Sequence, residues 1–155
     1  MKEKLSNLSY ALAAIIPGAV LFYAGYLKLM SPAEEFAFSI EAYKVVSGKT
    51  ALFAATFFPW FELYLGAFLI LGIFRKQACL SAIGVFIFFE LFLGQAALRG
   101  LELKDCGCFG AAHSNSLPVE MLLNLIWLAL LFAAYKKSSS FSLDAFFERK
   151  FKNEK

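Results

Sequence analysis

The sequence predicts an all-α protein: a four-transmembrane-helix bundle with a short amphipathic helix in the first outer loop and a basic amphipathic C-terminal helix. Three observations predict it. Hydrophobic residues make up 60% of the 155-residue chain, charged residues only 17%, and the mean hydropathy is +0.65. Soluble domains hold about 45–50% apolar residues, and one of this length has too much surface for its volume to hide such an excess. Second, four segments stay apolar over the roughly 20 residues that a helix needs to cross a bilayer. Third, the Lys and Arg residues cluster between and beyond those segments. The net charge of +3 is small and gives no reason to expect a nucleic-acid partner.

The spans run over about 8–29, 50–74, 77–98 and 118–135, so that residues 1–135 form one four-span membrane domain and 136–155 a basic cytoplasmic tail. The first span follows Lys2 and Lys4 as a signal peptide would. It is too long for the apolar core of one, has no small-residue cleavage site, and is followed by three more spans, so it is read as a span. Pro17 and Pro59 lie inside spans, where each removes a helix hydrogen bond and leaves a carbonyl for a neighbour to satisfy.

Orientation follows from charge. With four spans, Lys2, Lys4, Arg75, Lys76, Lys136, Lys137, Arg149, Lys150, Lys152 and Lys155 share one side, ten of the 15 basic residues. Lys28, Lys44, Lys49, Arg99 and Lys104 fall at or near the other, among Glu34, Glu35, Glu41, Glu102 and Asp105. The positive-inside tendency then places both termini in the cytoplasm and both long loops outside.

In the first outer loop, Ser31-Pro32-Ala33-Glu34 combines a capping serine, a proline suited to the first helical position and a glutamate completing a capping box. Phe36, Ile40 and Tyr43 recur on one face, predicting an amphipathic helix over 32–46 that covers the bundle or serves as a lid. Beyond the Ser138–Ser140 hinge, Leu143, Phe146, Phe147 and Phe151 alternate with Arg149, Lys150 and Lys152, the pattern of a helix held to anionic lipid.

Ionisable groups within spans cost roughly 2.5–3.5 kcal/mol each on insertion scales and call for a reason. Glu62 lies 13 residues before Arg75, and Glu90 lies 14 after Lys76. At 1.5 Å per residue, both sit about 20 Å from the inner surface. Lys28 closes the first span and can reach inward along its stem. Lys28, Glu62 and Glu90 can therefore meet as a buried cluster. It would serve to fix helix register, to pass protons, or to hold a cofactor head group.

The second outer loop holds Cys106-Gly107-Cys108-Phe109-Gly110. Residues at i and i+2 reach the Cα separation of a disulfide, about 4.4–6.8 Å, only where the chain bends. Gly107 allows the bend and Gly110 a second turn. So small a ring is expected to be strained and labile, whereas a structural staple would close a longer loop. Lys104 and the start of the fourth span, marked by Ser116, Pro118 and Glu120, favour thiolate; Asp105 opposes it. His113 is placed to act as a base, or is simply solvated. Three readings stay open: redox exchange, a soft-metal site for Zn(II), Cu(I) or Hg(II) from Cys106, Cys108 and His113, and a static disulfide or packing role. Cys79 lies about 30 Å from this loop along the third span and is read as a packing residue.

The run Gly18…Phe22-x-Ala24-Gly25-x-x-Lys28-Leu29 and the outer-helix residues Pro32, Phe36, Ile40 and Tyr43 resemble the DoxX-like superfamily of small four-helix membrane proteins. Pro59-x-x-Glu62 with Gly66 and Gly72 fits it too. Arg99-Gly100 and the Cys106–Gly110 loop narrow the resemblance to the branch of the methylamine utilisation protein MauE, over roughly residues 10–135. The resemblance implies an inner-membrane accessory in the maturation of a disulfide-rich exported subunit, often beside a thioredoxin-like partner.

The expected function is thiol-disulfide exchange at the outer face through Cys106 and Cys108, supported by Gly107, Phe109, Gly110, His113 and Arg99. The expected partners are the lipid bilayer and a thioredoxin-like or cysteine-containing extracytoplasmic protein. A quinone held by aromatics such as Tyr26, Trp60 and Phe92 is a candidate electron partner, although no motif requires a cofactor. Whether the chain is an enzyme, a membrane thiol-disulfide oxidoreductase, is left open. The alternatives are a soft-metal binding or transport accessory, or a non-enzymatic membrane scaffold.

Overall fold

The computed structural model describes residues 2–101, 103 and 116–136, with side chains from Asn7 onward. Within them lie α1 (Lys2–Met30), α2 (Ala33–Ala42), α3 (Lys49–Leu71), α4 (Arg75–Leu98) and α5 (Leu117–Lys136), and no strand among the described residues. Four of these helices, all but α2, are long and apolar enough to cross a membrane. The all-helical, four-span class is the one expected. Cys106–Gly110, His113 and the segment expected to form a C-terminal amphipathic helix lie outside the described residues.

Each long helix buries one narrow stripe with alternating three- and four-residue spacing. On α1 it runs Ala11, Ala14, Gly18, Leu21, Gly25, Lys28; on α3, Ala51, Ala55, Pro59, Glu62, Gly66, Leu69. On α4 the buried residues include Arg75, Cys79, Ala82, Phe86, Leu93 and Ala96; on α5, Glu120, Asn124, Leu131 and Ala134. This near-heptad period is the signature of left-handed helix packing. The opposite faces carry large apolar side chains such as Phe53, Phe57 and Tyr64, each more than half exposed. Water would not tolerate that surface; hydrocarbon does.

Small residues set the closest contact. A Cβ placed on Gly66 would stand 2.5 Å from the Phe22 amide nitrogen and 2.6 Å from the Gly18 carbonyl oxygen, and one on Gly25 would stand 2.7 Å from the Pro59 carbonyl oxygen. Backbones of α1 and α3 thus touch, as small-residue stripes permit in membranes. The contacts pair Gly25 with Pro59–Leu63 and Gly18 with Gly66–Ile70, so the two helices are antiparallel and offset. The first turns of α3 extend past the end of α1, and α2 packs along them: Phe36 and Ala37 bury against Ala51 and Ala55.

Three local expectations change. α2 spans Ala33–Ala42, shorter than 32–46, and among the described residues no side chain caps it, because Pro32 itself holds the N-cap position. Ser31 is therefore one residue too early to reach the free amides. Lys44, at φ 54°, ends the segment. α3 stops at Leu71, short of 74, because Gly72 turns left-handed at φ 68° and donates its N–H to the Phe68 carbonyl. Arg75, at the start of α4, is 7% exposed and its guanidinium donates to the Tyr10 carbonyl, tying the α3–α4 turn to α1.

Candidate functional site

Lys28 and Glu62 meet in the interior. Lys28 Nζ donates to Glu62 Oε1 at 2.8 Å and Oε2 at 2.7 Å, and the two side chains are 0% and 1% exposed. The ammonium also lies 4.7 Å from the centre of the Phe36 ring and 5.4 Å from that of Phe89. Four elements converge on one cation: α1 supplies it, α3 the carboxylate, and α2 and α4 the ring faces. Taking two charges out of water is expensive, and only near-ideal geometry returns the cost. Here both carboxylate oxygens accept, and the rings add an attraction of about 1–2 kcal/mol where desolvated. Gly25, one turn before Lys28, allows this by letting α1 approach Pro59 and Glu62.

Glu90 does not join the pair. It is partly buried on α4, and its Oε2 has no hydrogen-bond partner among the described residues; both amide atoms of Gln95 share that condition. Sequence reasoning passed over Asn124, and took Glu120 only as a mark of the start of the fourth span. Both are buried, at 3% and 4% exposure, on the inward stripe of α5. A signal was available: Glu120 and Asn124 are one turn apart and in phase with Trp127, Leu131 and Ala134.

Two cavities flank the pair. One, of about 190 Å³, lies between α2, α3 and α4; Phe36, Phe58, Phe89 and Phe92 line it with the hydroxyl-bearing Ser39 and Thr50. Tyr43 packs edge-on against Phe92, with ring centres 5.8 Å apart. Of the aromatics considered as quinone holders, only Phe92 borders this space. Tyr26 and Trp60 are about half exposed on the lipid-facing sides of their helices, because each sits one residue off the buried stripe. The other cavity, far smaller, contains Glu62, Glu120 and Asn124.

The segment that carries Cys106 and Cys108 leaves α4 through a tight turn. α4 closes with Arg99, exposed, at the C-cap and Gly100 at φ 62°. Leu101 N–H bonds the Ala96 carbonyl at 3.0 Å and Gly100 N–H the Ala97 carbonyl at 3.1 Å, a Schellman turn. Leu101 and Leu103 fold back onto Leu93 and Ala96, where Tyr43, Leu117 and Met121 also pack. The left-handed φ gives Gly100 its reason, since a side chain there strains the backbone by about 1–2 kcal/mol. Gly100→Ala is expected to lower the unfolding free energy of the detergent-solubilised protein by about that much; an unchanged denaturation midpoint would show the turn is not held this way. Cys79, by contrast, is fully buried with Ala13, Ala14 and Ala78.

The family model described as "Methylamine utilisation protein MauE" matches residues 6–137. No curated protein and no solved structure matches this chain. With most of its length matched, and with four helices able to span a bilayer, the chain belongs to the family of the methylamine utilisation protein MauE.

Proposed function

We propose that this protein is an inner-membrane accessory of methylamine utilisation that exchanges disulfides at its outer face through Cys106 and Cys108. The observation that carries the reading is the family match, whose range takes in both cysteines. Charge distribution supports the orientation, with ten of the 15 basic residues at the end holding the two termini. The wider DoxX-like kinship is part of the same proposal.

In the exchange, closing the Cys106–Cys108 disulfide breaks two S–H bonds, forms one S–S bond and releases two electrons and two protons. A disulfide of the exported client, or of a thioredoxin-like carrier, takes up both pairs and opens to two thiols. The reverse direction oxidises the client. Either way the attacking species is a thiolate. Gly107 and Gly110 give the loop freedom to bend, and Arg99 and His113 supply nearby cationic or basic groups. The apolar cavity suits a quinone as electron partner: its rings offer stacking faces, and Ser39 and Thr50 offer hydroxyls. Such a group would supply two-electron capacity within the membrane.

Alkylation of intact membranes followed by mass spectrometry tests the reading. Cys106 and Cys108 are expected as a mixture of dithiol and disulfide that shifts with added reductant, and the Cys106→Ser/Cys108→Ser variant should lose client maturation. Permanently reduced thiols would overturn it. Full maturation by the double variant would leave a scaffold role, and stoichiometric metal lost in Cys108→Ser a soft-metal role.

A further inference from the structure

The small cavity in the bundle core has a volume of about 20 Å³ and lies among α1, α3, α4 and α5. Leu21, Phe89 and Trp127 wall it, and Glu62, Glu120 and Asn124 border it. A cavity needs roughly 10–15 Å³ to hold a water, and the water needs two to four polar partners. This one has room for a single water and three polar side chains around it. Asn124 is 4% exposed, and its Nδ2 lacks an acceptor among the described residues. An orphaned buried donor costs about 1–3 kcal/mol, so an acceptor is called for at that spot. A metal cation is the wrong occupant, because an amide N–H presents positive charge to it. An apolar occupant would leave the amide unmet. Water alone among these can accept from Asn124 and donate to two carboxyl groups.

We propose that this chamber binds one ordered water that accepts from Asn124 Nδ2 and donates to Glu62 and Glu120. The Lys28–Glu62 pair thereby extends into a polar network through α1, α3 and α5. Glu120 sits in the first turn of α5, whose entrance residues Leu117 and Met121 pack with Leu101 and Leu103 at the far side of the dithiol segment. The water thus joins the anchor of that segment to the buried ion pair. Phe89, which lines both cavities and faces the Lys28 ammonium, is the partition between this wet chamber and the apolar one. None of this depends on the thiol chemistry.

X-ray radiolytic hydroxyl labelling of the full chain in lipid nanodiscs tests the site, because radicals form where water is bound. The two tryptophans of the chain are internal probes: Trp127 lines the chamber, and Trp60 faces lipid. Trp127 is expected to be oxidised several-fold faster than Trp60, and Asn124→Leu should remove that excess while leaving Trp60 unchanged. Equal rates at the two tryptophans in the unmodified protein would overturn the proposal, as would undiminished Trp127 labelling in folded Asn124→Leu. The comparison within the unmodified chain decides the matter even if the variant does not fold.

Discussion

Lys28→Met is expected to destabilise the bundle by about 3–5 kcal/mol, the usual cost of breaking a buried pair from one side. The pair offers no retreat to solvent, since its side chains are 0% and 1% exposed. Removing the ammonium strips both Glu62 oxygens of their donor, while Phe36 and Phe89 offer the carboxylate only ring faces, whose negative charge density does not replace it. Glu62→Leu should cost less than Lys28→Met, because the remaining ammonium keeps two ring faces. The Lys28→Met/Glu62→Leu protein should recover much of the loss, since no charge is then left buried. Denaturant titration of the detergent-solubilised chain reads all three. A double variant as unstable as the sum of the singles would show that the pair does not act as a unit.

Gly66→Leu is the second large expected effect. The first atom of any side chain there would lie 2.5 Å from Phe22 N, 2.6 Å from Gly18 O and 2.9 Å from Phe22 Cα. All three are backbone atoms, so no rotamer change relieves the clash and α1 must move away from α3. Overpacking costs about 1–3 kcal/mol where side chains can adjust; here the cost should reach or exceed the top of that range. The separation also pulls Lys28 from Glu62, so Gly66→Leu and Lys28→Met together should cost less than their sum. Gly84 is the control. A Cβ there meets nothing within 4 Å among the described residues, and Gly84→Ala should be neutral or gain up to about 1 kcal/mol of helix propensity. If Gly66→Leu unfolds at the same denaturant concentration as Gly84→Ala, the close approach of α1 and α3 is not what holds the pair.

The all-helical class and the four spans could be read from the chain because hydropathy over some 20 residues depends only on local composition. The depth expected for Glu62 and Glu90 was also legible, since helical rise converts sequence distance into depth. Which acid meets Lys28 was not. That depends on azimuth as well as depth: Glu62 shares the inward stripe of α3 with Pro59 and Gly66, and the glycine contacts bring that stripe against α1. Glu90, on α4, does not meet the ammonium. Arg99-Gly100 was legible as a family mark, but the left-handed turn explains Gly100 only once Leu101 is seen folding back onto Ala96.

By itself, then, the sequence determined that this is a four-span membrane protein with Lys28 and Glu62 inside the span region and two cysteines in the segment between α4 and α5. Tertiary structure alone decided that α2 and α4 place rings over the Lys28 ammonium, and that Glu120 and Asn124 turn inward beside Glu62. The physical reason is the same in each case. Burial in lipid is a property of a segment, whereas a partner for a buried polar group depends on which helix faces pack together.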